Sequence, residues 1–141
     1  METRTAWVVA ICVIGAVVDV LAAIQMLVPA LFGLTSGLNH FSPGSDYVYA
    51  MGMGASLMLG WTILLIWVAR RPVERSGVLL ITLCPVILGM AINEIRAVRD
   101  GFLPLAAVAP MWLGQTILAS LCLCGYRSVA RSQPSPAMPR A

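Results

Sequence analysis

Polar and apolar positions fall into blocks along this chain. Four apolar stretches, Ala6 to about Leu27, Tyr47 to Ala69, Gly77 to Ile95 and Pro104 to about Gly125, are separated by short segments that hold most of the charges. Each is near the ~20 residues that a helix rising ~1.5 Å per residue needs to cross ~30 Å of hydrocarbon. Lipid offers backbone groups no hydrogen-bond partner, so only helices or closed barrels cross it, and the alternation of barrel strands is missing here. The pattern predicts an all-α polytopic membrane protein: a four-transmembrane-helix up-down bundle in one domain over residues 1–127. The remaining segment, 128–141, carries Pro134, Pro136 and Pro139 among Ser, Gln and Ala, and reads as a disordered cytoplasmic tail.

Composition strengthens this class. The 141 residues are 60% apolar and 11% charged, with a mean hydropathy of +0.89, against roughly 45–50% apolar and about 25% charged in soluble domains. A cleavable signal peptide would need ~7–15 uninterrupted apolar residues before a small-residue cleavage site. The first stretch instead passes through Asp19 and Gln25 and runs on to Phe32, so a retained helix is expected.

Charge sets the expected orientation. All nine basic residues are arginine. Arg4, Arg70, Arg71, Arg75, Arg127, Arg131 and Arg140 would share one face, against Arg96 and Arg99 on the other. The positive-inside rule then places both termini and the 70–76 turn in the cytoplasm, with the 33–46 and 96–103 loops outside. The expected location is a multi-pass one in the bacterial inner (cytoplasmic) membrane. The net charge of +3 is explained by topology, so the expected partner is the lipid bilayer, with a second copy of the chain or another membrane protein as the candidate protein contacts and no nucleic acid.

Polar groups inside the stretches carry the candidate chemistry. Asp19 lies thirteen residues past Ala6, about 20 Å into the core. An aspartate there costs roughly 2.5–3.5 kcal/mol on an insertion scale, offset by apolar residues that return about 0.3–0.6 each. Gly15, Ala16, Ala22 and Ala23 flank it at three- and four-residue spacing, a small-residue stripe that another helix can approach. Asp19 is therefore expected to point into the bundle. By depth, Asn93 and Gln115 fall in the same layer, with Glu94 beside Asn93, and Asn93 shares a four-residue spacing with Pro85 and Gly89. Gly52, Ser56 and Gly60 form a doubled small-xxx-small pattern, read as a close contact within the chain. Trp61 and Trp112 lie away from the aromatic belts and need acceptors for their indole N–H groups.

Cys12, Cys84, Cys122 and Cys124 have no CxxC spacing, and the only histidine, His40, is in a different loop. They read as small apolar residues, with no metal site and no cofactor expected. Nucleotide-binding, serine-hydrolase and zinc-protease motifs are absent.

Three functions fit. A structural or accessory bundle, with a buried polar layer around Asp19 fixing helix register, needs nothing more than these features and leads. A proton-coupled small-molecule transporter would use Asp19 as proton carrier, with Trp61, Asn93 and Gln115 along its path. An intramembrane lipid-modifying enzyme would use Asp19 and Glu94 as acid and base, although the sequence leans against an enzyme.

The orientation has a direct test. In a cysteine-free background, Glu74→Cys should be labelled by an impermeant maleimide from the cytoplasmic side only, and Ser42→Cys and Asp100→Cys from the opposite side only. Labelling of all three from one side would overturn it.

Overall fold

The computed structural model describes residues 2–38 and 40–130. Among them the regular elements are five helices: α1 (Glu2–Leu27), α2 (Pro29–Thr35), α3 (Ser45–Ala69), α4 (Gly77–Arg99) and α5 (Leu105–Ala130). All but α2 are long and apolar enough to cross a membrane. Their outward surfaces are apolar too, with Leu57, Ile63 and Leu113 well exposed. That is the surface expected of helices whose solvent is hydrocarbon.

The helix ends differ from the sequence expectation in three places, each with a local cause. Val28 precedes Pro29, whose ring disfavours helical geometry in its neighbour. Val28 is accordingly extended (φ −114°, ψ 93°), ending α1 and starting the short α2, which runs from the end of the first apolar stretch into the expected 33–46 loop. α4 continues past Ile95 to Arg99, placing Arg96 and Arg99 in its last turn, where cations favour the exposed carbonyls; Gly101 then turns the chain at φ 72°. α5 continues to Ala130, so Ser128 and Val129 are helical and not part of a disordered tail. Val129 is buried against the core, which holds that last turn in place. Residues 131–141 of the expected tail lie outside the described residues.

α1 is the hub of the packing. It runs along α3 and also contacts α5, which in turn packs against α4. The main core gathers Val8, Ile11 and Cys12 of α1, Val68 of α3, Leu79 of α4, and Cys122 and Val129 of α5. Gly125 makes this approach possible: a Cβ there would stand 2.9 Å from Ile11 Cδ1 and 3.4 Å from Leu79 Cδ1. In lipid, an unpacked apolar side chain still meets apolar neighbours, so close packing itself has to hold the helices together. The 70–76 turn beside this core is pinned by Arg75, which stacks on the Trp67 ring at 3.5 Å and donates to the Trp67 carbonyl. The neighbouring Arg71–Glu74 pair is exposed and adds little.

At the other end, α2 and the segment after it fold over the bundle. Phe32, Phe41 and Tyr47 form a ring cluster with centroids 5.1–5.8 Å apart. Gly33 lets Phe41 close in, since a Cβ there would meet Phe41 Cβ at 2.8 Å.

The small-residue patterns divide. Gly15 serves a close contact, its missing Cβ leaving room for Leu65 Cδ1 at 3.0 Å. The Gly52, Ser56, Gly60 pattern does not serve the expected contact within the chain: nothing lies within 4 Å of a Cβ at Gly52 or Gly60, and Ser56 is exposed. Gly89 is likewise open. The reason is that α1 contributes the small residues of this interface, Gly15, Ala16 and Ala23. α3 meets them with a different face, on which Ala55, Thr62 and Leu65 are buried.

Gly125→Val should therefore overpack the core and cost about 1–3 kcal/mol. Gly52→Leu and Gly60→Leu should stay within about 0.5 kcal/mol of the parent. Reversible unfolding in mixed micelles measures all three, and a destabilised Gly60→Leu beside a silent Gly125→Val would contradict the packing.

Candidate functional site

The buried positions of α1 recur at helical spacing: Val8, Ile11, Cys12, Gly15, Ala16, Asp19 and Ala23. Asp19 is on this stripe because the helix repeat puts it there, and only 7% of it is exposed. Below it the stripe packs tightly, but at Asp19 the helices part. A cavity of about 390 Å³ opens between α1, α4 and α5, with Met58 reaching it from α3. Asp19, Glu94, Gln115, Gln25 and Thr82 supply its polar lining, and the remainder is apolar. Asp19 Oδ2 is buried and has no hydrogen-bond partner among the described residues.

Glu94 and Gln115 meet across the helix interface. Gln115 Nε2 donates to Glu94 Oε1 at 2.7 Å, which ties α5 to α4. Glu94 Oε2 and Gln115 Oε1 stay buried and unpartnered among the described residues. The indole nitrogen of Trp112 approaches the same carboxyl without reaching hydrogen-bond geometry. Gln25 donates to Thr35 Oγ1 and so links α1 to the cap.

Asn93 does not join this layer. It is exposed, and Glu94 takes the inward place. The cause lies in residues Thr82–Ile87, which form a π-helical turn containing Pro85 between the α-helical pieces Gly77–Ile81 and Leu88–Arg99. Counting ~3.6 residues per turn from Thr82, an unbroken α-helix brings residue 93 inward. A π turn inserts one additional residue, and the cavity-facing series becomes Thr82, Val86 and Ile87, Met90, Glu94. The four-residue spacing of Pro85, Gly89 and Asn93 thus marks an outward face.

Trp61 sits outside the cavity wall but helps to hold it. Its Nε1 donates to Thr82 Oγ1 at 3.2 Å, and Thr82 Oγ1 donates to the Val78 carbonyl at 3.0 Å. This link bridges α3 to the π turn. Thr82 and the cavity methionines Met58, Met90 and Met111 escaped the sequence reading. The available signal was Pro85 inside an apolar stretch, which marks a disturbed turn. Of the thiols, Cys12 and Cys122 are buried in the core, while Cys84 and Cys124 face outward and do not act as core residues.

Among the described residues the chain is thus a small all-helical protein with four apolar helices and a half-open pocket between them that carries two carboxyls. Neither protein-family models, nor curated proteins, nor solved structures give a match to it.

Removing the α3–α4 link should have a measurable cost. Trp61→Phe and Thr82→Val should each destabilise the bundle, with a coupling energy of about 0.6 kcal/mol between them in a double-mutant cycle. Independent, additive effects in that cycle would mean that the hydrogen bond does not hold the two helices.

Proposed function

We propose that this chain is a small multi-pass protein of the bacterial cytoplasmic membrane, threaded up and down with both termini cytoplasmic, that acts as a proton-coupled carrier of a small amphiphilic molecule. The observation that carries this reading is Asp19: a carboxyl more than nine-tenths buried, with an unpartnered oxygen, on the wall of a cavity. A purely structural polar layer would use that carboxyl as glue, bonded to an amide or hydroxyl of another helix. The Glu94–Gln115 pair fits that role, and Asp19 does not. An ionisable group held inside a membrane and facing a cavity is suited to exchanging a proton for a ligand.

The charged and titratable neighbourhood is sparse. Glu94 on α4 is the second acid of the cavity wall, and among the described residues no arginine or histidine lines it. A proton taken up or lost at the wall therefore belongs to Asp19 or Glu94. The enzyme reading would need Asp19 and Glu94 to act on one bond, and no observation favours it over carriage.

Full-length protein in vesicles holding a pH-sensitive dye tests the proposal. Octyltrimethylammonium, octanesulfonate and octyl glucoside, kept below their micellar concentrations, serve as probes with head groups that cross bare lipid slowly. At least one should drive proton flux through the parent protein, and Asp19→Asn should abolish that flux while keeping its helical circular dichroism. Absence of flux with all three, or flux that survives Asp19→Asn, overturns the proposal.

A further inference from the structure

The unpartnered buried atoms on the cavity wall are acceptors, with the indole N–H of Trp112 standing beside one of them, the Glu94 carboxyl. Asp19 Oδ2, Glu94 Oε2 and Gln115 Oε1 are all buried acceptors without a donor among the described residues. Asp19 and Glu94 are acceptor-only when ionised, and the amide oxygen of Gln115 can accept but not donate. One of the two N–H groups of the Gln115 amide donates to Glu94 Oε1. Among the described residues no arginine or histidine lines the cavity, and the chain has no lysine. Buried acceptors in a low-dielectric setting are costly unless donors reach them. An anion would meet two acids and no matching cation.

We infer that the ligand is a protonated amine, an ammonium group bearing N–H donors on an apolar body; this rests on the assignment above of the cavity as a ligand site. A primary ammonium carries three N–H donors and the unpartnered atoms of this wall are acceptors, so the two match in sign. Charge-assisted N–H···O bonds are about twice as strong as neutral ones, so the head group dominates recognition. A quaternary ammonium has the charge but lacks the donors.

The rest of the wall accepts the body. Ile14, Val18, Leu21 and Ile117 present apolar surface, and Met58, Met90 and Met111 enter from three different helices. Methionine is flexible and polarisable, so such a wall adapts to bodies of different shape. Selectivity for the head and tolerance of the body follow together. The cavity volume of about 390 Å³ falls in the range of roughly 300–1,000 Å³ usual for small-molecule sites.

Equilibrium binding to the detergent-solubilised full chain distinguishes these head groups. Octylammonium should bind saturably, one per chain, about tenfold more tightly than octyltrimethylammonium or octanol. Asp19→Asn and Glu94→Gln should each weaken it about tenfold, while Asn93→Leu, one residue from Glu94 but facing outward, should leave it unchanged. If Asp19→Asn fails to fold, Gln115→Met serves in its place and should weaken octylammonium about fivefold. Equal affinity for the quaternary probe, preference for octanol or octanesulfonate, or no saturable binding overturns the inference. Proton flux driven only by octanesulfonate would leave the carrier reading standing and remove the amine. Tight octylammonium binding without Asp19-dependent flux would do the reverse.

Discussion

Hydrocarbon offers a polar atom nothing to bond to, and the organisation of this bundle follows from that constraint. Helices settle their own backbone groups, and most hydroxyls are settled in the same way. Ser56, Thr62, Thr116 and Ser120 each donate to the carbonyl four residues earlier, a local solution open to small hydroxyl side chains. Carboxyls and amides have no equivalent recourse, because their oxygens need donors from elsewhere. Apart from the Ser36 and Tyr47 hydroxyls near the cap and the Trp112 indole, the buried side-chain atoms left without a partner among the described residues are oxygens of Asp19, Glu94 and Gln115. All three residues line the same cavity.

The two ends of the bundle divide the labour. Near the arginine-rich 70–76 turn, small and β-branched side chains from four helices close the core around Gly125. At the end of the aromatic cluster of Phe32, Phe41 and Tyr47, α1 and α3 stay in contact through Ala23, Ala55 and the Met26–Gly54 approach, and α2 is held to α1 by the Gln25–Thr35 hydrogen bond. The cavity lies beside this packed core, lined by α1, α4 and α5. Interactions at the tight end fix the helices relative to one another without filling the space in which the acids stand.

Much of the architecture was legible in the sequence because hydropathy reports directly on burial in lipid. The four apolar blocks gave the four long helices, and the small residues around Asp19 pointed to its buried stripe. What was not legible depends on phase. Small residues at 52, 56 and 60 look like a contact face, but which of two helices provides the close approach is decided by their mutual rotation, and here α1 provides it through Gly15. Likewise the depth of Asn93 and Glu94 could be counted, but which one faces inward depends on a π turn that periodicity alone does not reveal. The pairing of Gln115 with Glu94 in place of Asn93 follows from that same turn.

The π turn makes backbone length, and not only side-chain identity, a determinant of what the interior displays. Asn93 and Glu94 are adjacent, and the wider turn at Thr82–Ile87 is what selects the acid over the amide. Excising one residue from that turn would restore uninterrupted α-helical winding and rotate the C-terminal half of α4 by about 100°, exchanging an ionisable group for a neutral one while leaving both in the chain. For a fold of this kind, a three-nucleotide deletion changes the interior charge without replacing any residue that faces it.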